Sequence, residues 1–122
     1  MSRILVIDDD IAGCRTMAIH LGGDGHAVRV AHTFEDGLAA ARADAPQLVI
    51  LDIRMPGESG LEGLPQLKRE FPRTRIIMIT AFDDRDTRLQ AMERGAHDYI
   101  AKPVDLNALD AAVAKADPSG SH

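Results

Sequence analysis

The chain has 122 residues, 45% of them hydrophobic, and a formal net charge of −5 at pH 7, which suits one compact domain with its own core. Its 14 basic residues are scattered along the chain, so the composition argues against direct nucleic-acid binding. The longest apolar runs have about four residues against the roughly 20 of a membrane helix, and no signal segment opens the chain, so we expect a cytoplasmic protein with no membrane contact.

The first part of the chain predicts two strands, each followed by a helix. Residues 4–7 form a continuous run of branched apolar side chains, which is typical of a parallel strand covered on both faces, and residues 27–31 predict a weaker strand. Helical spacing predicts buried faces that carry Ile11, Cys14, Ala18 and Leu21, and then Phe34, Leu38 and Ala41. Cys14 is the only cysteine, so we expect a small buried residue, neither a disulfide partner nor a metal ligand.

The second part of the chain repeats this alternation three times. Residues 48–51 and 76–79 are further continuous apolar runs, and residues 99–101 suit a shorter flanking strand. The three intervening helices are predicted with buried faces that carry Leu61, Leu64, Leu67 and Phe71, then Leu89, Met92 and Ala96, and finally Leu106, Leu109 and Val113. Residues that mark helix ends support these boundaries: Gly22 and Gly23, Thr33 with Asp36, Pro72, Asp83 or Asp84, and Gly95.

Strand and helix therefore alternate five times. This order predicts an α/β fold with a five-stranded parallel sheet, helices on both faces and right-handed crossovers. We expect one domain over residues 1–116. Residues 117–122 have no apolar content and are expected to be a disordered tail, the start of a linker or residues added for expression.

Polar residues follow the predicted strands at their carboxyl ends, which all lie at one edge of a parallel sheet. Asp10 has an alternative role as the N-cap of the first helix, whereas capping does not explain the two aspartates before it. Taken singly, Thr80 could be an ordinary strand residue and Lys102 a surface cation. Their convergence at one edge favours a site made of Asp8, Asp9, Asp10, Asp52, Thr80 and Lys102.

Clustered carboxylates repel each other, so at least one should bind a proton with a raised pKa unless a cation joins them. A few carboxylates with open positions for water and a phosphate oxygen suit Mg²⁺ better than Ca²⁺. Zn²⁺ is disfavoured because we expect no histidine or cysteine near these strand ends. Asp52 is the best nucleophile toward phosphorus, since it stands alone on the central strand. Mg²⁺, Lys102 and the Thr80 hydroxyl would stabilise the phosphoryl oxygens.

From about residue 3 to residue 116, the chain resembles the receiver domain of two-component response regulators. The resemblance rests on four segments in the family's order and spacing: ILVIDDD (4–10), LVILDIRMPGESG (48–60), IIMITAF (76–82) and GAHDYIAKP (95–103). It implies the flavodoxin-like strand order 2-1-3-4-5. It also implies that Asp52 receives a phosphoryl group from a phosphohistidine of a sensor histidine kinase or phosphotransfer protein.

The resemblance also assigns the metal ligands. Asp9 matches a direct Mg²⁺ ligand together with Asp52 and the backbone carbonyl of Arg54, and Asp8 matches a ligand that acts through water. Arg54 and Phe82 occupy positions that tune how long the phosphate survives. Since both side chains are large, we expect slow-to-moderate autodephosphorylation.

Further roles follow from the resemblance. Thr80 and Lys102 match the switch hydroxyl and the phosphate-pairing lysine, and the bond from Lys102 to Pro103 is expected to be cis. Tyr99 matches the aromatic switch that turns inward when Thr80 contacts the phosphate. The face formed by the fourth helix, the fifth strand and the fifth helix would be the partner surface and a possible homodimer interface. The first helix would bind the kinase.

Two other functions compete with this one. The first is an aspartate-nucleophile phosphatase of the haloacid dehalogenase type, which places a second acidic residue two positions after the nucleophile, where this chain has Arg54. The second is a pseudo-receiver, a binding module that keeps the fold without the chemistry, although every position that the chemistry needs is present. Residues 57–68 and 80–103 also resemble receivers of nitrogen-regulatory, enhancer-binding proteins, which favours a role in transcription regulation.

Overall fold

A computed structural model describes residues 2–55, 57, 59–81 and 85–116. Its elements in chain order are β1 (Arg3–Ile7), α1 (Ile11–Gly23), β2 (Ala27–Ala31), α2 (Phe34–Ala43), β3 (Leu48–Asp52), α3 (Gly60–Glu70), β4 (Arg75–Thr80), α4 (Arg85–Glu93), β5 (Asp98–Ala101) and α5 (Leu106–Ala116). The predictions made for Phe82, for Asp83 or Asp84 and for the tail at 117–122 lie outside the described residues. Among the described residues, no helix has the length and apolar character of a membrane span.

The five strands form one parallel sheet in the order β2-β1-β3-β4-β5. This confirms the predicted α/β fold and its strand order. The continuous apolar runs place side chains on both faces of the sheet, and helices cover both faces, as expected for buried parallel strands. In β4, Ile76 and Met78 pack with residues of α2, α3 and α4, while Ile77 and Ile79 pack with residues of α1 and α5.

Side-chain caps begin four of the helices among the described residues, including α5, where Asp105 accepts from the Asn107 amide at 2.8 Å. Asp10 has an extended backbone and accepts a hydrogen bond from the Gly13 amide at 3.0 Å, so it is the N-cap of α1. Thr33 accepts from the Asp36 amide at 3.0 Å and caps α2, as predicted. Ser59 caps α3. These caps fix where the chain turns from the carboxyl edge of the sheet into the next helix.

The predicted buried faces are wrong at three positions. Ile11, the first residue of α1, is 63% exposed, and the buried face of this helix is formed by Cys14, Met17 and Leu21. In α4, Leu89 and Met92 are 50% and 45% exposed, and Ala91 is its buried residue. Helical spacing identifies an apolar stripe, but packing decides which residues face the sheet.

The end of α1 also differs from the prediction. Gly22 and Gly23 lie inside its last turn, and Asp24 is the C-cap. Gly25, with φ of 95°, makes the turn toward β2. Such a positive φ is favourable for glycine and strained for other residues.

Pro65 lies inside α3 and has no amide hydrogen to donate to the Leu61 carbonyl one turn earlier. The side chain of Arg94, just after α4, supplies the missing donor, with Nη1 at 2.9 Å from the Leu61 oxygen. A long-range side chain therefore satisfies the carbonyl that the proline leaves unpaired.

Candidate phosphoacceptor and metal site

Asp52 is the last residue of the central strand β3 and is only 3% exposed. The Arg54 amide donates a hydrogen bond to Asp52 Oδ1 at 3.2 Å. Both the strand and this hydrogen bond hold the carboxyl group at the carboxyl edge of the sheet. The chain therefore presents one nearly buried carboxyl group at the centre of that edge.

Asp8 follows β1 on the neighbouring strand and is fully buried at 0% exposure. Its Oδ1 accepts a hydrogen bond from the Asp10 amide at 3.0 Å. Its Oδ2 is buried, and the Lys102 ammonium, 3.0 Å away, is the cation that pairs with it. A buried carboxylate oxygen with an unused lone pair has capacity for a further cation.

The carboxylate oxygens of Asp8, Asp9 and Asp52 lie within 4.8 Å of one another. Two of these residues are buried and Asp9 is exposed, so the cluster opens to solvent on one side. An all-oxygen set with an open side suits a hard divalent cation that keeps part of its water shell. These residues therefore fit such a cation, and the unused lone pair on Asp8 Oδ2 supports the fit.

The expected absence of histidine near the strand ends is wrong. His32 directly follows β2, and its Nδ1 lies 3.0 Å from the backbone oxygen of Asp8. Cys14 is also close, since its thiol donates to the same oxygen at 3.2 Å, and burial raises the pKa of that thiol to about 12. Both side chains contact the backbone and not the carboxylate group, so the candidate ligands remain oxygen atoms.

The pKa of Asp52 is raised from 3.8 to about 7. Burial is the main cause, followed by the hydrogen bond and the negative charge of Asp8, while Lys102 and the Arg54 amide act in the opposite direction. This agrees with the expectation that clustered carboxylates bind a proton when no other cation joins them. One ammonium group does not compensate the whole cluster.

Lys102 lies just after β5, and its Nζ is 3.0 Å from Asp8 Oδ2 and 3.2 Å from Asp52 Oδ2. Burial lowers the pKa of Lys102, but the hydrogen bond to Asp8 and the charges of both aspartates outweigh it, so the net pKa is raised. The peptide bond from Lys102 to Pro103 is cis, as the resemblance implies. Lys102 therefore stays charged beside Asp52.

Thr80 lies on β4, the strand next to that of Asp52, and Tyr99 lies on β5, one strand further out. Thr80 ends β4 and is fully buried, and the small Ala81 follows it at the surface. Tyr99 is half-buried in β5, where it packs against the core on the side of α2, α3 and α4. The guanidinium carbon of Arg88 in α4 lies 4.9 Å from the centroid of its ring, which is a cation–π contact.

Two features of the site were not predicted from the sequence. The first is a cleft of about 500 Å³ between the start of α1 and the loop before α5, lined by Asp8, Asp10, Gly13, Thr16, Met17, Ala81, Lys102, Pro103, Val104 and Leu106. The second is the role of Gly60, where a Cβ atom would lie 2.0 Å from the backbone oxygen of Asp52. The start of α3 approaches the end of β3 so closely that no side chain fits there.

The family model of the response regulator receiver domain matches residues 4–114. The transcriptional regulatory protein ZraR of Salmonella typhimurium is 36% identical over 113 residues, which are 93% of this chain and 26% of ZraR. The response regulator PleD of Caulobacter vibrioides is 38% identical over 107 residues, which are 85% of this chain and 23% of PleD. The chain thus spans about a quarter of the length of these relatives.

Solved structures give the same family. The receiver domain of NtrX from Brucella abortus has a TM-score of 0.87 and 35% identity, covering 93% of this chain and 96% of that one. A response regulator protein from Burkholderia pseudomallei was solved with a phosphorylated aspartic acid, a calcium ion and citrate. It has a TM-score of 0.86 and 33% identity, and the match covers 92% of this chain and 66% of that one. With its fold, its carboxylate cluster and these relatives, the chain belongs to the response regulator receiver domain family.

Proposed function

We propose that Asp52 accepts a phosphoryl group from a phosphohistidine of a sensor histidine kinase or phosphotransfer protein. The observation that carries this proposal is the nearly buried Asp52 carboxyl group, with Lys102 Nζ at 3.2 Å and Asp8 and Asp9 beside it. The phosphorylated aspartic acid of the Burkholderia pseudomallei protein supports it. The chain is a signalling domain, and the chemistry it performs is its own phosphorylation and dephosphorylation.

In the transfer step, a carboxylate oxygen of Asp52 attacks the phosphorus atom. The bond from phosphorus to the donor imidazole nitrogen breaks, the nitrogen keeps the electron pair, and an acyl phosphate forms. Lys102 is positioned to stabilise the negative oxygens of the phosphoryl group. The Thr80 hydroxyl, at the end of the adjacent strand, would bind another of these oxygens.

The cation that we propose for the cluster is Mg²⁺. Asp9, Asp52 and the backbone carbonyl of Arg54 would be direct ligands, and Asp8 would act through water. When bound, the ion supplies positive charge that allows Asp52 to be ionised and that offsets charge on the phosphoryl group. The calcium ion in the Burkholderia pseudomallei protein supports a divalent cation site. Mg²⁺ fits better, since three carboxylates leave positions for water and phosphate.

We propose that the signal is read at the face formed by α4, β5 and α5. Contacts of the phosphoryl group with Thr80 would favour an inward orientation of Tyr99 and so a second arrangement of this face. The half-exposed Leu89 and Met92 give it an apolar character that suits a partner or a homodimer. α4 has Ala91 as its buried residue, so little packing opposes its rearrangement.

The donor would bind at α1, next to the cleft that leads to Lys102. Ile11 and Ile19 are 63% and 70% exposed on that helix, so they offer apolar contacts along it. We propose that the domain works in the cytoplasm, together with its kinase or phosphotransfer protein. We assign residues 1–116 to the domain.

The test is incubation with acetyl phosphate and Mg²⁺, followed by intact-protein mass spectrometry. We expect a gain of one phosphoryl group that Asp52→Asn abolishes, while Asp44→Asn, an exposed aspartate at the opposite edge, retains it. A fluorine-19 NMR signal from a beryllofluoride adduct should likewise be lost in Asp52→Asn and retained in Asp44→Asn. Absence of any adduct on the wild type would favour a pseudo-receiver, and rapid turnover of unrelated phosphoesters would favour a phosphatase.

The lifetime of the phosphorylated form tests a finer proposal. Arg54 is exposed beside Asp52, where its long side chain can hinder an attacking water molecule. We expect slow-to-moderate autodephosphorylation, and an aspartyl-phosphate half-life of seconds would contradict this. Arg54→Ala should shorten the half-life, whereas Arg15→Ala on α1 should leave it unchanged.

A further inference from the structure

A second cleft of about 510 Å³ lies at the amino edge of the sheet, away from Asp52. It is lined by Pro72 and Arg73 of the loop after α3, by Arg75 at the start of β4 and by His97 just before β5. We call this the basic cleft. No role proposed for the receiver chemistry uses any of its residues.

The polar side chains that line the basic cleft are all hydrogen-bond donors. Arg73 and Arg75 are exposed, and neither forms an ion pair with a carboxylate in the described part of the chain. His97 Nδ1 accepts a hydrogen bond from the Ile76 amide at 3.2 Å. The proton of the neutral ring is therefore on Nε2, which makes this second nitrogen a donor as well. Such a lining matches an oxyanion.

Positive charge is concentrated around the basic cleft although the whole chain has a net charge of −5. Lys68 Nζ is held beside it by the carbonyl oxygens of Pro72 and Thr74, at 3.3 and 3.0 Å. Burial, Lys68 and Arg75 lower the pKa of His97, and burial and Arg75 lower that of Lys68. Burial is the larger cause of both shifts, and the neighbouring like charges add to it, so a bound anion would relieve that repulsion.

The acidic residues closest in sequence to the basic cleft, Glu70 and Asp98, do not supply that anion, since each has another partner. Glu70 is held by Arg42 in a two-pronged ion pair, with both nitrogen–oxygen distances at 2.8 Å. Asp98 Oδ1 accepts a hydrogen bond from the Tyr99 amide at 2.8 Å. The basic cleft is thus open to an anion from another molecule.

An adjoining groove of about 540 Å³ shares Pro72 and Arg73 with the basic cleft. Its other lining residues include the apolar Ala45, Pro46 and Phe71, and also Glu70, whose carboxylate is paired with Arg42. Carboxylates beside apolar side chains would match these two surfaces together. A single inorganic anion would use neither the apolar groove nor most of the volume.

We propose that the basic cleft binds an acidic polypeptide segment of a partner protein, with carboxylates on Arg73, Arg75 and His97 and an apolar side chain in the adjoining groove. Arginine pairs with carboxylates through two parallel hydrogen bonds, which gives the contact a defined direction. The surface lies at the opposite edge from Asp52. Binding there is therefore separable from phosphorylation.

The probe is a capped peptide, Glu-Leu-Glu-Glu-Leu-Glu, added to the nitrogen-15-labelled chain at a salt concentration of about 20 mM, where charge screening is weak. We expect saturable NMR shifts of the amides at residues 73–76 and 97, and a rise of the His97 imidazole pKa on binding. The shifts should diminish as salt is raised to about 0.5 M. The peptide Gln-Leu-Gln-Gln-Leu-Gln is the matched control and should produce none of them.

The variant that removes both arginines, Arg73→Gln with Arg75→Gln, should bind the acidic peptide at least about tenfold more weakly. Arg15→Gln with Arg85→Gln changes the net charge equally at exposed sites elsewhere and should retain the affinity. Equal binding by both double variants would overturn the proposal, as would shifts with the glutamine peptide or no shifts at all. So would inorganic phosphate that shifts the same amides with equal or higher affinity, because the site would then be one for small anions. The wild type should also show no binding of the basic peptide Lys-Leu-Lys-Lys-Leu-Lys. This measurement does not require any variant to fold.

Discussion

The Lys102 ammonium nitrogen lies 3.2 Å from Asp52 Oδ2, at the end of a strand that is buried along its whole length. Burial and Asp8 raise the pKa of Asp52, Lys102 lowers it, and the net value is about 7. Lys102→Met should therefore raise the Asp52 pKa further. Carbon-13 NMR titration of the carboxyl group measures the change, with Lys115→Met on the exposed end of α5 as the control. An unchanged or lower pKa in Lys102→Met would contradict the prediction.

Stability should depend on pH through Asp52. Its pKa is about 7 in the folded chain and near 3.8 in the unfolded chain, so the folded state binds more protons between these values. Stability that comes from this group is then present below about pH 4, decreases as pH rises to about 7, and changes no further above it. In metal-free buffer, Asp52→Asn should raise the unfolding midpoint, and more so at pH 8 than at pH 5. An equal effect at both pH values would exclude this origin.

The cation–π contact between Arg88 and Tyr99 is expected to restrict the tyrosine ring. The chain has one tyrosine and no tryptophan, so tyrosine fluorescence reports on Tyr99 alone. Arg88→Ala removes a contact of about 0.5–1 kcal/mol at a partly exposed site and should increase acrylamide quenching of that fluorescence. Arg88→Lys should have a smaller effect, and Arg85→Ala, one turn earlier on α4, should have none. Quenching equal to the wild type in Arg88→Ala would show that other contacts hold the ring.

Gly60→Ala should disturb both the fold and the position of Asp52. The new methyl group would lie 2.0 Å from the Asp52 backbone oxygen, so α3 or the end of β3 must move. We expect a loss of about 1–3 kcal/mol in the free energy of unfolding, measured with urea, and weaker beryllofluoride binding. Gly22→Ala is the matched control. Nothing lies within 4 Å of its added Cβ, and it should stabilise α1 by up to about 1 kcal/mol.

Arg94 and Pro65 should be coupled energetically. Arg94→Ala leaves the Leu61 oxygen without its donor and should cost about 1 kcal/mol of stability. Pro65→Ala restores a backbone amide that can donate to the same oxygen, so Arg94→Ala should cost less in that background. A double-mutant cycle should give a coupling of about 0.5 kcal/mol or more. Arg69→Ala, in the last turn of α3, is the control and should be additive with Pro65→Ala.

The order of the elements could be predicted because buried parallel strands leave a strong local signal. The runs at 4–7, 48–51 and 76–79 all fall inside β1, β3 and β4, with the ends displaced by one residue at most. The proximity of Asp8, Asp52 and Lys102 could also be predicted, since the carboxyl ends of parallel strands share one edge.

What could not be predicted depends on contacts between distant segments. The rotation of α4, which buries Ala91 and exposes Leu89, is decided by the surface against which the helix packs. The close approach of Gly60 to Asp52 and the reach of Arg94 to Leu61 have no local signature either. In each case the determining partner lies outside the window in which helical or strand periodicity is read.

β4 begins at Arg75 in the basic cleft and ends at Thr80 beside Asp52. At about 3.3 Å per residue, this strand separates the two places by about 16 Å. That span exceeds the Debye length of about 8 Å at physiological ionic strength, so a phosphoryl group at one end has little electrostatic effect on a carboxylate at the other. One copy of the domain could therefore hold both partners at once, and each could exchange without displacing the other.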